Sequence, residues 1–273
     1  MRKDKMMRAI TLCIALALAG VSCMNNKKTK NGNENSAWID LSYAFDSSTL
    51  YWPNNATIFQ HHEDIAGKTA GGYYYSSYSV CMPEHGGTHL DAPVHFAEAH
   101  QSVDEIPLEN LCGKAVVIDV SEQVKSNRDY LISAQDVEQW ESEHGKLEEN
   151  TIVLFRTGMG KYYPDREKYF GTKLIGMEAI PLLHFPGIDA SCAEFLVKQR
   201  HIKAVGLDTP SMDYGQSKDF KTHQVICGNN VPGFENVANL DKLPEEGIEV
   251  IALPMKIGKG SGAPLRIIAR VIQ

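Results

Sequence analysis

Hydrophobic positions fall into two regimes along the chain. Residues 9–21, "AITLCIALALAGV", form one apolar run behind the basic "MRKDKMMR". From Trp38 onward, short β-branched runs alternate with turn residues: "AVVIDV" (115–120), "TIVLFR" (151–156), "KAVGLD" (203–208), "IEVIAL" (248–253) and "LRIIARVI" (265–272). Runs apolar on both faces predict interior strands. The aromatic-rich "YYYSSYSV" (73–80) predicts another. Two stretches carry signals of helix. Ser133 and Asp136 make a capping box ahead of "AQDVEQWESEH", and Gly145 supplies a stop. Asp189 can cap "ASCAEFLVKQR", where Ala193, Leu196 and Val197 share a face. Strands interleaved with such helices predict an α/β fold over 37–273, a single domain with a mixed β-sheet core and flanking helices. The pattern leaves the topology open.

The apolar run at 9–21 has 13 residues, too short to span a bilayer comfortably. Its basic flank predicts a signal peptide over 1–22, and hence export. "LAGVSC" resembles a bacterial lipoprotein signal, in which Cys23 would be lipidated and become the mature N-terminus. A plain secretory signal cut nearby is the alternative. The expected location is periplasmic, or membrane-anchored through that lipid alone. Residues 23–36 are Asn-rich without apolar periodicity and predict a flexible tether. The formal charge of −7, with no Lys/Arg cluster beyond the N-terminus, argues against a nucleic-acid partner. Cys81, Cys112, Cys192 and Cys227 are widely spaced and read mostly as small buried hydrophobes, with a disulfide possible after export.

The densest chemistry lies at 85–96, "HGGTHLDAPVHF", where His85, His89, Asp91 and His95 crowd together. His61, His62, His100, His144, His184 and His201 are scattered and read as surface or core residues. In the cluster, Gly86-Gly87 and Pro93 oppose a regular helix, so a tight loop following a strand is expected. Asp91 with His85 and His89 can make a facial nitrogen–oxygen set suited to Zn²⁺, Mn²⁺ or Fe²⁺. Three protein ligands would leave a position for water, as catalytic sites do. Asp208 ends an apolar run and can either orient a ligand histidine or cap a turn. Further along, His223 is followed by both Cys227 and Glu235, and the residues alone do not choose between these two as a ligand.

The stretch closely resembles the signature H-x-G-T-H-x-D-A-P-x-H of the metal-dependent cyclase family, which includes kynurenine formamidase and isatin hydrolase. "VLFRTGMGKYY", "FPGIDASCAEFL", "AVGLDTPSMDYG", "HQVICGNNVPGFENVANL" and "ALPMKIGKGSGAPLRIIA" resemble family blocks in family order. The resemblance implies a swivelling β/β/α-like fold, a homo-oligomer, and two divalent metal ions, Zn²⁺ first and Mn²⁺ next. His85, His89 and Asp91 would hold one ion, and Asp91, His223 and Glu235 the other. Isatin hydrolase carries Gln at the last position and holds one metal, so Glu235 tilts the reading toward the two-metal, formamidase-like branch. Trp52 matches a family Trp-Pro that lines the substrate pocket; a purely structural tryptophan is the other reading.

The implied activity is hydrolysis of a small-molecule amide, arylformamidase-like, with N-formylkynurenine as the family-type substrate. An amine leaves poorly unless protonated, and His95, the histidine left without a ligand role, would serve as general acid. A cyclic-amide or lactone hydrolase shares this site. A metal-binding lipoprotein without turnover is the rival of another class.

Overall fold

The computed structural model describes residues 38–272; the expected signal peptide and tether, with Cys23, lie outside the described residues. In chain order the first strands are β1 (Ile39–Asp40), β2 (Gln60–Lys68), β3 (Tyr74–Cys81) and β4 (His89–Asp91). They are followed by β5 (Cys112–Asp119), β6 (Leu131–Ile132), β7 (Ile152–Arg156) and β8 (Gly187–Ile188). The last four are β9 (Ala204–Leu207), β10 (Gly233–Glu235), β11 (Ile248–Pro254) and β12 (Gly262–Val271). The helices that matter here are α1 (Ala134–His144), α2 (Ala190–Gln199) and α3 (Lys221–Cys227).

One mixed sheet runs β1-β12-β11-β5-β7-β9-β10-β4, and β4 also pairs with β12, which closes seven of the strands into a ring. β5, β7, β9 and β10 pair parallel; the other pairings in this sheet are antiparallel. Period-two alternation then sorts the side chains. Val117, Ile152, Leu154, Leu90, Phe234, Val250 and Ile267 form the inner core of the ring. Ile118, Val153, Phe155, Val205 and Leu207 belong to a second core shared with α1 and α2. The central parallel strands are thus apolar on both faces, as expected. β11 and β12 are not: Leu253 and Arg266, a cross-strand pair, are both exposed.

Local chemistry explains the helices. Ser133 accepts from the Asp136 amide while the Asp136 carboxylate accepts from the Ser133 amide, so α1 begins at a closed capping box and stops at Gly145. Asp189 caps α2, which buries Ala193, Leu196 and Val197. Among the described residues β3 pairs only with β2, and this hairpin carries Tyr73, Tyr74, Tyr75 and Tyr78 exposed. Of the cysteines, Cys192 and Cys227 are buried, Cys112 is half-buried and Cys81 is exposed on the hairpin; all four are free. The small-hydrophobe reading therefore fits Cys192 and Cys227 and fails for Cys81.

Candidate metal centre

The expected loop is only half of the histidine stretch. Residues 82–88 are irregular, but His89–Asp91 is strand β4, paired on one side with β10 and on the other with β12. Strand geometry puts His89 and Asp91 on one face and Leu90 on the other, inside the ring. Antiparallel register sets Glu235 directly opposite His89, so two of the expected ligands are a cross-strand pair. His223 arrives from α3, and His85 from the loop. Gly262 makes room for the His85 ring, and Gly86 lets the loop pack against Tyr51. A Cβ at Gly86 would lie 2.1 Å from the Tyr51 ring, and one at Gly262 would lie 2.4 Å from the His85 ring.

The donor atoms converge. His85 Nδ1 is 2.7 Å from Asp91 Oδ1, and His89 Nε2 is 3.2 Å from the same oxygen. His89 Nε2 lies 3.4 Å from Glu235 Oε2, while His223 Nε2 is 3.2 Å from both Asp91 Oδ2 and Glu235 Oε1. His85, His89 and Asp91 form one group able to hold an ion; Asp91, His223 and Glu235 form a second. Asp91 is common to both. Cys227 belongs to neither group: it is buried, with its thiol pushed up to about 12 by that burial.

Each imidazole is turned by a hydrogen bond from its far nitrogen. His89 Nδ1 donates to the Gly87 carbonyl (3.0 Å) and His223 Nδ1 to Asp213 Oδ2 (2.6 Å). His85 Nε2 lies within hydrogen-bond distance of Ser261 Oγ (3.0 Å). With the far nitrogens so engaged, the near nitrogens of three imidazoles and two carboxylates face one another. Such a set needs a cation between its members, or extra protons. Burial opposes charge on His89, yet Asp91 and Glu235 outweigh it and push that imidazole up to about 9. Burial likewise works against Asp91, but the surrounding imidazoles hold it well below the ordinary carboxylate range; Glu235 is raised by burial and by Asp91. Nitrogen and oxygen ligands around a tetrahedral Zn²⁺ at about 2.0–2.1 Å stand roughly 3.3 Å apart. Most of the spacings seen here match that figure, so the donor set fits a divalent ion in both chemistry and size.

His95 follows Pro93 on a 3₁₀ turn, Pro93–His95, off the strand as expected. Its ring stacks on His85, centroids 3.9 Å apart, and burial pushes it down to about 4. Beside the donors opens a cavity of about 260 Å³. Trp52 is part of its wall, edge-on to Phe170, Phe185 and Phe220 at 6.2–6.4 Å. Phe96 and Phe220 line it too, Phe96 with its ring 4.5 Å from that of His223.

Asp208 orients no histidine. Its buried carboxylate accepts from Thr157 N, Thr157 Oγ1 and Gly160 N, and so clamps a turn. The carboxylate that orients a ligand histidine is Asp213, in the same "DTPSMD" stretch and ten positions before His223. Ser261 and Glu84 also stand at the site, through a long-range contact that no local pattern announces.

A family profile described as putative cyclase matches residues 39–214. The isatin hydrolase of Roseibium aggregatum is 29% identical over 215 residues, covering 76% of this chain and 79% of that protein. The kynurenine formamidase of Salinibacter ruber is 29% identical over 239 residues, covering 86% of this chain and 97% of its own. Among solved structures, isatin hydrolase A from Labrenzia aggregata bound to benzyl benzoate superposes with a TM-score of 0.77 at 32% identity, covering 87% of this chain and 94% of that one.

Proposed function

This chain belongs to the putative cyclase family, and from that premise we propose that it hydrolyses an amide bond beside an aromatic ring, in the manner of an arylformamidase, using two divalent ions. The observation that carries this reading is the pair of donor groups joined at Asp91, opening onto an aromatic-walled cavity. Divalent ions in such a set lower the pKa of water and polarise a carbonyl. His85, His89, Asp91, His223 and Glu235 would hold them, Zn²⁺ in the first instance and Mn²⁺ as the other fit. The chain's own part is positioning and proton movement. Trp52, Phe96, Phe170 and Phe220 offer rings against which an aryl group can pack and exclude water. His95, neutral at neutral pH once burial has lowered it, takes the proton released by the attacking water and returns it to the departing nitrogen.

The family-type reaction is N-formylkynurenine to kynurenine and formate. One observation favours the cyclic-amide or lactone alternative: among the described residues that line the cavity there is no Lys or Arg to meet the carboxylate of an amino-acid arm. A panel decides between them. Purified protein is incubated with N-formylkynurenine, isatin and an aryl lactone, with and without added Zn²⁺ or Mn²⁺. Metal-dependent turnover of the formamide supports the first reading, and turnover of the ring substrates alone supports the second. Metal binding without turnover of any would leave a metal-binding protein.

Export, with Cys23 as the lipid-bearing residue, and assembly into a homo-oligomer complete the proposal. What supports assembly is the β2–β3 hairpin, since a two-stranded hairpin is marginal alone in water and this one leaves four tyrosines exposed.

A further inference from the structure

Of the three imidazoles in the donor groups, His85 is the one held least by its own surroundings. His89 donates to a backbone carbonyl two residues away, and His223 to a carboxylate that also accepts its amide. His85 sits in a loop, a quarter exposed at 24%, and its outer nitrogen meets a side chain 176 residues further along, Ser261 Oγ at 3.0 Å. Ser261 is in turn fixed. Its hydroxyl donates to Glu84 Oε2 at 2.7 Å, and the same oxygen accepts from the amides of Ser261 (2.9 Å) and Gly262 (3.3 Å). A serine hydroxyl has one proton. With that proton given to Glu84, Ser261 can only accept from His85.

We propose that Ser261, oriented by Glu84, is the positioning residue that sets the tautomer of His85 and thereby the occupancy of the ion site it shares with His89 and Asp91. The competing state is visible in the distances. His85 Nδ1 is 2.7 Å from Asp91 Oδ1, so a proton on Nδ1 would make a direct hydrogen bond and consume both atoms that an ion needs. By drawing the proton to Nε2, Ser261 leaves Nδ1 with its lone pair toward the donor group. The segment is well placed to do this. Gly262 pairs with Asp91 across β12 and β4, and the Ser261 carbonyl accepts from the Ala92 amide at 2.9 Å. The hydroxyl and the ligand strand therefore share one framework. Removing an outer hydrogen-bond partner of this kind costs about 10–100-fold in metal affinity.

This inference rests on the metal reading above, and one titration separates the two. Full-length protein is titrated with Zn²⁺ against a competing chelator, and with Co²⁺ followed by its visible absorption. Wild type should load both sites. Ser261→Ala should weaken one site by about 10–100-fold, alter the Co²⁺ spectrum of that site and leave the other as it was. Glu84→Ala, which frees the hydroxyl to turn, should weaken the same site, and Ser261→Thr, which keeps a hydroxyl, should restore it. If wild type loads both sites and Ser261→Ala titrates identically, the inference is overturned alone. If Ser261→Thr is as weak as Ser261→Ala, packing is responsible and the hydroxyl is not. A wild type that takes up neither ion overturns the metal reading and this inference with it.

Discussion

The His95 imidazole differs from its neighbours in what it does not touch: no described residue hydrogen-bonds that ring, while the His85, His89 and His223 rings each have a partner on the outer nitrogen. It lines the cavity and stacks on His85 without joining either donor group. His95→Ala is therefore expected to keep its metal content while turnover of amides falls by about 10²–10⁴-fold, the usual scale of general acid–base catalysis. Activated aryl esters, whose leaving groups need no proton, should suffer less. Elemental analysis beside kcat checks this, and His89→Ala serves as the contrast, since a ligand variant should lose metal and turnover together. A metal-depleted His95→Ala would make it a ligand. At this scale the sequence was most legible where chemistry is crowded: His85, His89 and Asp91 lie within seven positions and converge in space. Asp213 was hidden by a neighbour of the same type. Asp208 and Asp213 flank one short turn, and only the path of the chain decides that the second meets His223 while the first clamps Thr157 and Gly160.

The strands do for the site what no loop could. β4 and β10 are three residues each, and in both the middle side chain is buried in the ring, while His89 and Asp91 in β4 and Glu235 in β10 supply donors. Leu90 and Phe234 are thus the inner anchors of His89, Asp91 and Glu235. Phe234→Ala should cost about 3–5 kcal/mol of stability, read as a lower urea midpoint, because a fully buried ring leaves a cavity that a closed sheet cannot collapse around. The same variant should weaken metal binding. An unchanged urea midpoint would mean that β10 is anchored elsewhere. Long apolar runs announced β5, β7 and β9 because those strands are covered on both faces. β4 and β10 were invisible as strands, since three residues carry no period and their outer positions are polar for chemical reasons. Capping chemistry, by contrast, is local, so α1 and α2 were readable to their first residues.

At the scale of the molecule, closure of the sheet brings residue 85 beside residue 261 and residue 89 beside residue 235, contacts that a linear pattern cannot encode. Family blocks supplied Glu235 where the residues alone left Cys227 open, and the geometry sets Cys227 outside both donor groups. The proposed anchor has its own test. Cys23→Ser should move the protein from the membrane fraction to the soluble one, and an unchanged distribution would remove Cys23 from the account.

The central claim is that hydrolysis runs on two ions joined through Asp91, and metal content per chain tests it most directly. Elemental analysis of the purified protein should give close to two divalent ions per chain, with Glu235→Gln losing one of them and most amide hydrolysis. A wild type holding a single ion, with that count and the turnover unaltered by Glu235→Gln, would contradict the account.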